Sequence, residues 1–303
     1  MEAYRTPDDR FAALPGYTFA PHYIELDGLR QHYVDEGSGP MVLMLHGEPT
    51  WSYLYRNVIP AVVAAGHRVV APDLIGCGRS DKPVGLDWYT YDNHVAAMRK
   101  FVEELDLRDI TLVVHDWGGP IGLRLAMENE ARFARLVILN TGIMTSGENR
   151  MPEAWWSFRN FVDKVKPDVP VGMLIQGACF TPPAPEVLAA YEAPFPEPEA
   201  KWGVSAFPLI VPTSAESPGG AAAIAAAGRL REWTKPALVA FSDSDPIFPT
   251  RVGENFVARI PGARRPLTVI PQASHFLQED QPGLVASAIT GFLAETGPAA
   301  TEE

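Results

Sequence analysis

Residues 110–122, ITLVVHDWGGPIG, constrain the fold of this chain more than any other stretch. A run of β-forming residues over 110–114 stops at a polar pair, and a tryptophan, two glycines and a proline then lead into a helical pattern. This order predicts a buried parallel strand, a tight turn and the start of a helix. The residue at the centre of the turn is Asp116.

The position of Asp116 admits two interpretations. In a nucleophile elbow, a sharp turn between a strand and a helix presents the nucleophilic side chain. Small residues usually flank that turn. Gly118 holds the position two places after Asp116, but Val114 holds the position two places before it. The alternative is a helix N-cap, a position that suits aspartate well. These five residues alone do not decide between the two.

The rest of the chain alternates between predicted strands and helices, which indicates an α/β protein with a doubly wound, mostly parallel sheet. Asp27-Gly28 between residues 23–26 and 29–35 predicts a tight hairpin. Further strands are predicted at 41–45, 67–71, 110–114, 135–140, 237–241 and 266–270, and helices at 54–65, 91–105 and 284–293.

Residues 145–227 interrupt this pattern with many prolines, two adjacent tryptophans and few strand-like segments. We therefore expect a mainly helical cap domain at 145–227, inserted between two parts of an α/β core at 1–144 and 228–303. Such an insertion covers the carboxyl ends of the strands, where α/β proteins bind their ligands.

Composition excludes several classes of function. The formal net charge of −12 argues against nucleic acid as a partner and against a basic membrane-binding surface. No apolar stretch approaches the ~20 residues that span a bilayer, and no signal peptide is visible. Two cysteines, Cys77 and Cys179, form neither a disulfide framework nor a metal-ligand pattern, and no metal site is expected at Glu48 or Asp116. We expect a cytoplasmic monomer.

Two polar segments follow the last predicted strands. SDSDPIFP (242–249) contains Asp243 and Asp245, and PQASHFLQED (271–280) contains His275. Asp116, an acid and His275 then occur in the nucleophile–acid–histidine order of α/β-hydrolases. Asp245, which precedes Pro246, is the better candidate for the acid. The alternatives are a simple turn residue at Asp245 and an ordinary histidine at 275, one of seven in the chain.

An aspartate nucleophile indicates a specific chemistry. A carboxylate with a reference pKa of ~3.9 is ionised at neutral pH and needs no base for attack. It can displace a leaving group from an sp³ carbon and form an ester, which a water activated by His275 then hydrolyses. The backbone N–H groups of Trp117 and Glu48 are candidates to stabilise the oxyanion. Serine hydrolysis is disfavoured because G-x-S-x-G is absent.

A wider set of motifs resembles the haloalkane dehalogenases, and the resemblance runs from about residue 4 to residue 293. The motifs are HGEPTWSYLYR (46–56), DLIGCGRSDKP (73–83), DWGG (116–119), YEAPFPEP (191–198) and ASHFLQED (273–280). The similarity is greatest to the branch with glutamate after His-Gly and a late aspartate acid. It implies an α/β-hydrolase fold with a helical cap and cofactor-free hydrolysis of small halogenated alkanes by water, giving alcohol, halide and a proton.

The resemblance also implies roles for individual residues. Asp116 becomes the nucleophile, His275 the base and Asp245 the acid. Trp117 would donate its indole N–H to the leaving halide, a role that suits a donor on an apolar ring. Glu48 would flank the water site and provide a backbone N–H.

The chain departs from its relatives at the second halide donor, usually a tryptophan twelve residues before the tyrosine of the YxAPFP motif. Counting back from Tyr191 gives Cys179, a weak donor. Other tryptophans near the site are possible substitutes: Trp155, Trp156 and Trp202. We expect instead that Trp117 and backbone groups hold the halide alone, with weak halide binding and a preference for bromide and iodide as leaving groups.

Three rival functions remain. An epoxide hydrolase shares the aspartate and the histidine, but it uses a pair of cap tyrosines, and Tyr191 is the only tyrosine in 145–227. A catalytically silent binding protein predicts a broken triad. Fluoroacetate-type dehalogenases usually carry arginine where Trp117 stands.

Overall fold

The computed structural model of this chain describes residues 2–145 and 151–297. Its strands are β1 (Ala3–Tyr4), β2 (His22–Leu26), β3 (Leu29–Glu36), β4 (Met41–Leu45), β5 (Arg68–Pro72), β6 (Lys82–Pro83), β7 (Ile110–His115), β8 (Phe133–Leu139), β9 (Ala237–Ser242) and β10 (Thr268–Ile270). Eight strands form one sheet in the order β10-β9-β8-β7-β4-β5-β3-β2, and β1 pairs with β6. Pairing is parallel from β10 to β5 and antiparallel from β5 to β2. The predicted α/β class and mostly parallel sheet are confirmed.

The central strands are apolar along their whole length because helices cover both faces of the sheet. Every residue of β4, β7 and β9 is buried. The helices are α1 (Ile59–Ala64), α2 (Tyr91–Glu104), α3 (Gly118–Glu128), α4 (Glu153–Val165), α5 (Val171–Ala178), α6 (Pro185–Glu192), α7 (Trp202–Ala206), α8 (Gly220–Arg229), α9 (Thr250–Arg259), α10 (Leu277–Asp280) and α11 (Pro282–Thr296). Within the described ranges, none of these helices is long and apolar enough to cross a membrane.

The hairpin predicted at Asp27-Gly28 is present. Leu26 of β2 pairs with Leu29 of β3, so the loop has two residues. Both loop residues have positive φ, 52° at Asp27 and 79° at Gly28, as a type I′ turn requires.

The helix predicted at 54–65 is shorter than expected. A 3₁₀ turn occupies Ser52–Tyr55, and α1 starts only at Ile59. Pro60 explains the difference, since proline lacks an N–H and is tolerated in the first turn of a helix but not in its interior.

The segment between β8 and β9 contains α4 to α8, in keeping with a mainly helical insertion. The predicted start of the cap at 145 adjoins residues 146–150, which lie outside the described residues. Its predicted end at 227 falls inside α8. This helix packs against α3 of the core and buries small side chains at Ala223, Ala226 and Ala227. The division into core and cap therefore stays a prediction.

Candidate active site

The turn between β7 and α3 holds Asp116 in a left-handed conformation, with φ of 47°. Few residues other than glycine, asparagine and aspartate adopt this region, and strain of this kind is concentrated at functional turns. The residue at the N-cap of α3 is Trp117, and the helix has no side-chain cap. The N-cap interpretation of Asp116 is therefore wrong.

The glycines after Asp116 let α3 approach the sheet closely. A Cβ at Gly118 would lie 2.3 Å from the carbonyl oxygen of Leu45, and one at Gly119 would lie 1.9 Å from Oγ1 of Thr141. No side chain fits at either position, so the tight elbow depends on both glycines.

Val114 fills the strand position where a small residue was expected, and the helix compensates for its size. A Cβ at Gly122 would lie 2.8 Å from Cγ1 of Val114 and 2.9 Å from Cδ1 of Leu45. The small residue that the close packing requires is therefore Gly122 on α3, and not a residue of β7.

One carboxylate oxygen of Asp116 is held by the loop after β4. The N–H of Glu48 donates to Oδ1 of Asp116 at 2.7 Å, and the N–H of Trp117 also hydrogen-bonds to this carboxylate. A Cβ at Gly47 would lie 2.1 Å from the same Oδ1, so only glycine allows this approach. The two N–H groups that the sequence indicated as oxyanion donors therefore meet at Asp116.

The second oxygen of Asp116 faces the predicted histidine. Oδ2 of Asp116 lies 3.6 Å from Nε2 of His275, while Nδ1 of His275 lies 2.9 Å from Oδ2 of Asp245. The structure thus brings Asp116, His275 and Asp245 into one chain of contacts, although they come from three separate strand ends.

Of the two aspartates after β9, Asp245 is the one that contacts His275. Its other oxygen accepts the N–H groups of Ile247 at 2.7 Å and Phe248 at 3.0 Å. Asp243 is exposed and accepts the N–H of Gln272 at 3.0 Å, so it supports the turn before the histidine.

Asn140 is a site residue that sequence reasoning missed. Its amide nitrogen lies 2.9 Å from Oδ2 of Asp245 and 3.1 Å from the carbonyl oxygen of Ser274, and its oxygen accepts the N–H of Ser242. A buried polar residue directly after an apolar strand was the available signal, since the carboxyl ends of neighbouring parallel strands meet at one edge.

The environment shifts the pKa values of the three contacting groups. Burial opposes protonation of His275, but the charges of Asp245 and Asp116 outweigh it and raise the pKa of His275 above its ordinary value. Burial raises the pKa of Asp116. The pKa of Asp245 is lowered, because the charge and hydrogen bond of His275 together with backbone N–H groups outweigh its burial.

The side chain of Glu48 is buried beside the nucleophile. Burial, reinforced by the charge of Asp116, raises the pKa of Glu48 well above its ordinary value. Its Oε1 has no hydrogen-bond partner among the described residues. Protonation of Glu48 would avoid a second negative charge next to Asp116.

A cavity of about 680 Å³ adjoins these residues and is walled by both the core and the helices between β8 and β9. Asp116, Trp117, Glu48 and His275 line it, and Asp245 lies behind His275. Within the part of the chain that the structure describes, no group of three or more histidine, cysteine or acidic side chains could hold a metal ion.

The candidate halide donors differ in where they lie. Trp155 lines the cavity and is 5% exposed, whereas its neighbour Trp156 is 40% exposed. Trp156, Trp202 and Cys179 are not among the described residues that line the cavity.

Tyr191 is turned away from the cavity. It is fully buried, and its hydroxyl hydrogen-bonds to Glu279, which also forms an ion pair with Arg56. Tyr191 therefore cannot donate its hydroxyl to an epoxide in the cavity while it is bound to Glu279.

The histidine loop, residues 271–281, is tied to the end of α5 and to the residues that follow it. The N–H of His275 donates to the carbonyl oxygen of Ala178 at 3.0 Å. The carboxylate of Asp280 accepts the N–H groups of Phe180 at 2.8 Å and Thr181 at 3.0 Å. Three hydrogen bonds therefore link this loop to the helical insertion.

Comparison with known proteins finds relatives that cover almost the whole chain. Residues 40–282 match the family model described as the alpha/beta hydrolase fold. A haloalkane dehalogenase of Psychrobacter cryohalolentis is 45% identical over 302 residues, covering 97% of this chain and 98% of that protein. One of Mycobacterium marinum is 44% identical, covering 96% and 100%. The solved structure of the tetrameric haloalkane dehalogenase DpaA from Paraglaciecola agarilytica NO2 superimposes with a TM-score of 0.90 at 36% identity, covering 97% and 98%.

Proposed function

This chain belongs to the α/β-hydrolase family and, within it, to the haloalkane dehalogenases, which hydrolyse carbon–halogen bonds, and we propose that it does so through a covalent ester on Asp116. The substrates are small halogenated alkanes, and the products are a primary alcohol, halide and a proton. No cofactor takes part in the proposed reaction.

In the first step, Oδ2 of Asp116 attacks the carbon that bears the halogen. A C–O bond forms as the carbon–halogen bond breaks, and the halide leaves with the bonding electrons. The N–H of Glu48 holds Oδ1, so the attacking oxygen is oriented in advance. Trp117 lines the same cavity and donates its indole N–H to the departing halide.

In the second step, Nε2 of His275 takes a proton from water, and the resulting hydroxide attacks the ester carbonyl carbon. The oxyanion that forms on Oδ1 accepts the N–H groups of Glu48 and Trp117. The intermediate collapses, the alkoxide takes the proton from His275, and the alcohol leaves. The regenerated carboxyl group then loses a proton, which accounts for the acid released.

Asp245 fixes the orientation of His275 and stabilises its protonated form. The 2.9 Å contact with Nδ1 leaves Nε2 free to face the ester. Asn140 and two backbone N–H groups hold Asp245 in turn.

The observation that carries this proposal is that the two carboxylate oxygens of Asp116 have different surroundings. One accepts backbone N–H groups, and the other lies 3.6 Å from Nε2 of His275. The intact contacts argue against a silent binding protein. The engagement of Tyr191 with Glu279 argues against an epoxide hydrolase.

The two steps can be separated with His275→Phe. Alkylation does not need the base, so this variant is expected to react once with 1-bromobutane and then stop. Intact-mass spectrometry should show a butyl adduct, and peptide mapping should locate it at Asp116.

The control for this experiment is His275→Phe/Asp116→Ala, which should release no bromide and gain no mass. An absence of adduct and of bromide in His275→Phe alone would contradict a base that acts only in the second step. An adduct on another residue would contradict the choice of nucleophile.

A further inference from the structure

Three polar side chains of α9 form a face of the cavity that the reaction does not use. Arg251, Asn255 and Arg259 are spaced four residues apart, so they lie on one side of the helix. All three line the cavity that contains Asp116, and all three are exposed. The cavity is therefore open along this face, which we call the α9 face.

The arginine side chains of the α9 face have no partner among the described residues. Neither the guanidinium of Arg251 nor that of Arg259 forms a hydrogen bond or ion pair within residues 2–145 and 151–297. Several other arginines in this acidic chain form ion pairs, such as Arg264 with Glu295 at 3.1 Å. Two arginine side chains without a described partner therefore concentrate positive charge in one cavity wall of a protein whose net charge is −12, with Glu254 the one acidic residue of the same helix.

The acidic residues of the described cavity wall lie at the reacting centre and not on the α9 face. In its described wall the carboxylates are Glu48 and Asp116, both at the reacting centre. A substrate that carries an anion beside its halogen would meet the charge of Asp116, whereas one that carries it at the far end of a carbon chain would place it near the α9 face.

We propose that the α9 face binds an anionic group at the end of the substrate remote from the halogen, which makes terminal bromo- and chlorocarboxylates a substrate class of this enzyme. This inference rests on the proposed function. A guanidinium fork matches a carboxylate in shape as well as in charge, and the amide of Asn255 adds a further donor.

The dimensions of the cavity allow a substrate of this kind. A volume of about 680 Å³ is in the range of pockets that hold drug-sized ligands and exceeds the need of a short bromoalkane. The ring of Phe248 lies 5.8 Å from that of His275, and Arg251 follows Phe248 by three residues, a Cα separation of at most ~11 Å. A chain of moderate length therefore connects Asp116 to the α9 face.

The test compares substrates that differ only in charge. The kcat/KM for bromide release is measured with 6-bromohexanoate and 6-bromohexanamide, and again with 10-bromodecanoate and its amide. For at least one of the two chain lengths, the wild type is expected to have a higher kcat/KM for the carboxylate than for the amide. The double variant Arg251→Gln/Arg259→Gln should lower that ratio about three- to tenfold, the range for one or two exposed charge pairs.

The charge control is Arg264→Gln, which removes one positive charge outside the described cavity wall, together with its ion pair to Glu295, and should leave the ratio unchanged. Both cavity arginines are exposed, and their replacement breaks no hydrogen bond or ion pair among the described residues. An unchanged ratio in the double variant, with neutral amides still hydrolysed, would overturn the inference while the proposed function stands. Failure of wild type on every bromo compound would instead overturn the proposed function.

A bromide titration distinguishes the other source of an anion, the product itself. If the double variant binds bromide more weakly by intrinsic fluorescence but keeps the carboxylate ratio, the α9 face serves halide passage and the substrate inference is wrong. Equal bromide affinity with a reduced ratio supports binding of the carboxylate.

Discussion

At the scale of single residues, Asp245 and Asp243 offer a matched pair. Asp245→Asn removes the carboxylate that orients His275, and turnover should fall by up to about 10⁴-fold, as it does when an orienting carboxylate is lost from other triads. Asp243→Asn retains an acceptor for the N–H of Gln272 and should cost little. Steady-state bromide release measures both. A reversed order of the two variants would assign the acid to Asp243.

The same pair predicts a change in pH dependence. His275 must be neutral to accept a proton, so kcat should fall as the pH drops through its pKa, which lies above the ordinary value of 6.5. Because Asp245 is the largest charge that raises this pKa, residual activity of Asp245→Asn should have its acid midpoint at lower pH. A pH profile of kcat checks this, and an unmoved midpoint would mean that another group titrates.

The second halide donor can now be tested at one position. Trp155 lines the cavity with Trp117, and Trp156 beside it is partly exposed. The expectation that Trp117 and backbone groups hold the halide alone stays a prediction, and the position of Trp155 supplies the competing one. If Trp155 is a second donor, Trp155→Phe should lose at least tenfold in bromide affinity, since a hydrogen bond to an anion is worth roughly 1.5–3 kcal/mol. Trp156→Phe should bind bromide like wild type. Fluorescence titration decides, and equal affinity in all three proteins would support Trp117 and backbone groups alone.

At the scale of elements, the elbow predicts a coupling between β7 and α3. Gly122→Ala forces a Cβ to 2.8 Å from Val114, and overpacking of this kind costs about 1–3 kcal/mol. Val114→Ala should relieve that clash, so the double variant should be more stable than the sum of the single changes. Urea unfolding of the four proteins measures the coupling. If the changes in unfolding free energy of the two single variants simply add in the double variant, positions 114 and 122 do not compete for the same space.

Elements whose structure depends on neighbouring residues in the sequence could be predicted from the sequence. The strands β4, β7 and β9 are continuous apolar runs, and the hairpin at Asp27-Gly28 carries its own turn chemistry. Pro60 split the helix expected at 54–65, although its restriction on the first helical turn was visible in the sequence.

The site was predictable only in part, because its contacts join distant strand ends. Asp116, Asp245 and His275 were visible from their positions after strands. The amide of Asn140 was not recognised, since its partners are 105 and 134 residues away and its role depends on the neighbour order β7, β8, β9. Likewise, the location of Trp155 in the cavity wall depends on how α4 packs, which periodicity does not specify.

At the scale of the whole molecule, the expected monomer is still a prediction. The chain has a mass of 33.1 kDa, and the related enzyme DpaA is tetrameric. Four large apolar side chains on or near α4 and α5 are at least one-third exposed: Trp156, Phe161, Met173 and Phe180. Sedimentation velocity at micromolar concentration should give a single species of monomer mass. A species of about four times that mass would contradict the prediction, and these side chains would then be the first to replace.

Three hydrogen bonds join the histidine loop to the end of α5 and the residues after it. Because they hold the histidine loop in place, the chain around Ala178 cannot move outward while the catalytic contacts stay intact. If the chain at Ala178 moves outward, the main chain of His275 loses its acceptor and Asp280 loses the N–H donors of Phe180 and Thr181. An outward movement of this region therefore removes contacts that hold the loop of the catalytic histidine in place. Any passage of substrate or product through such an opening must be followed by closure before the next chemical step.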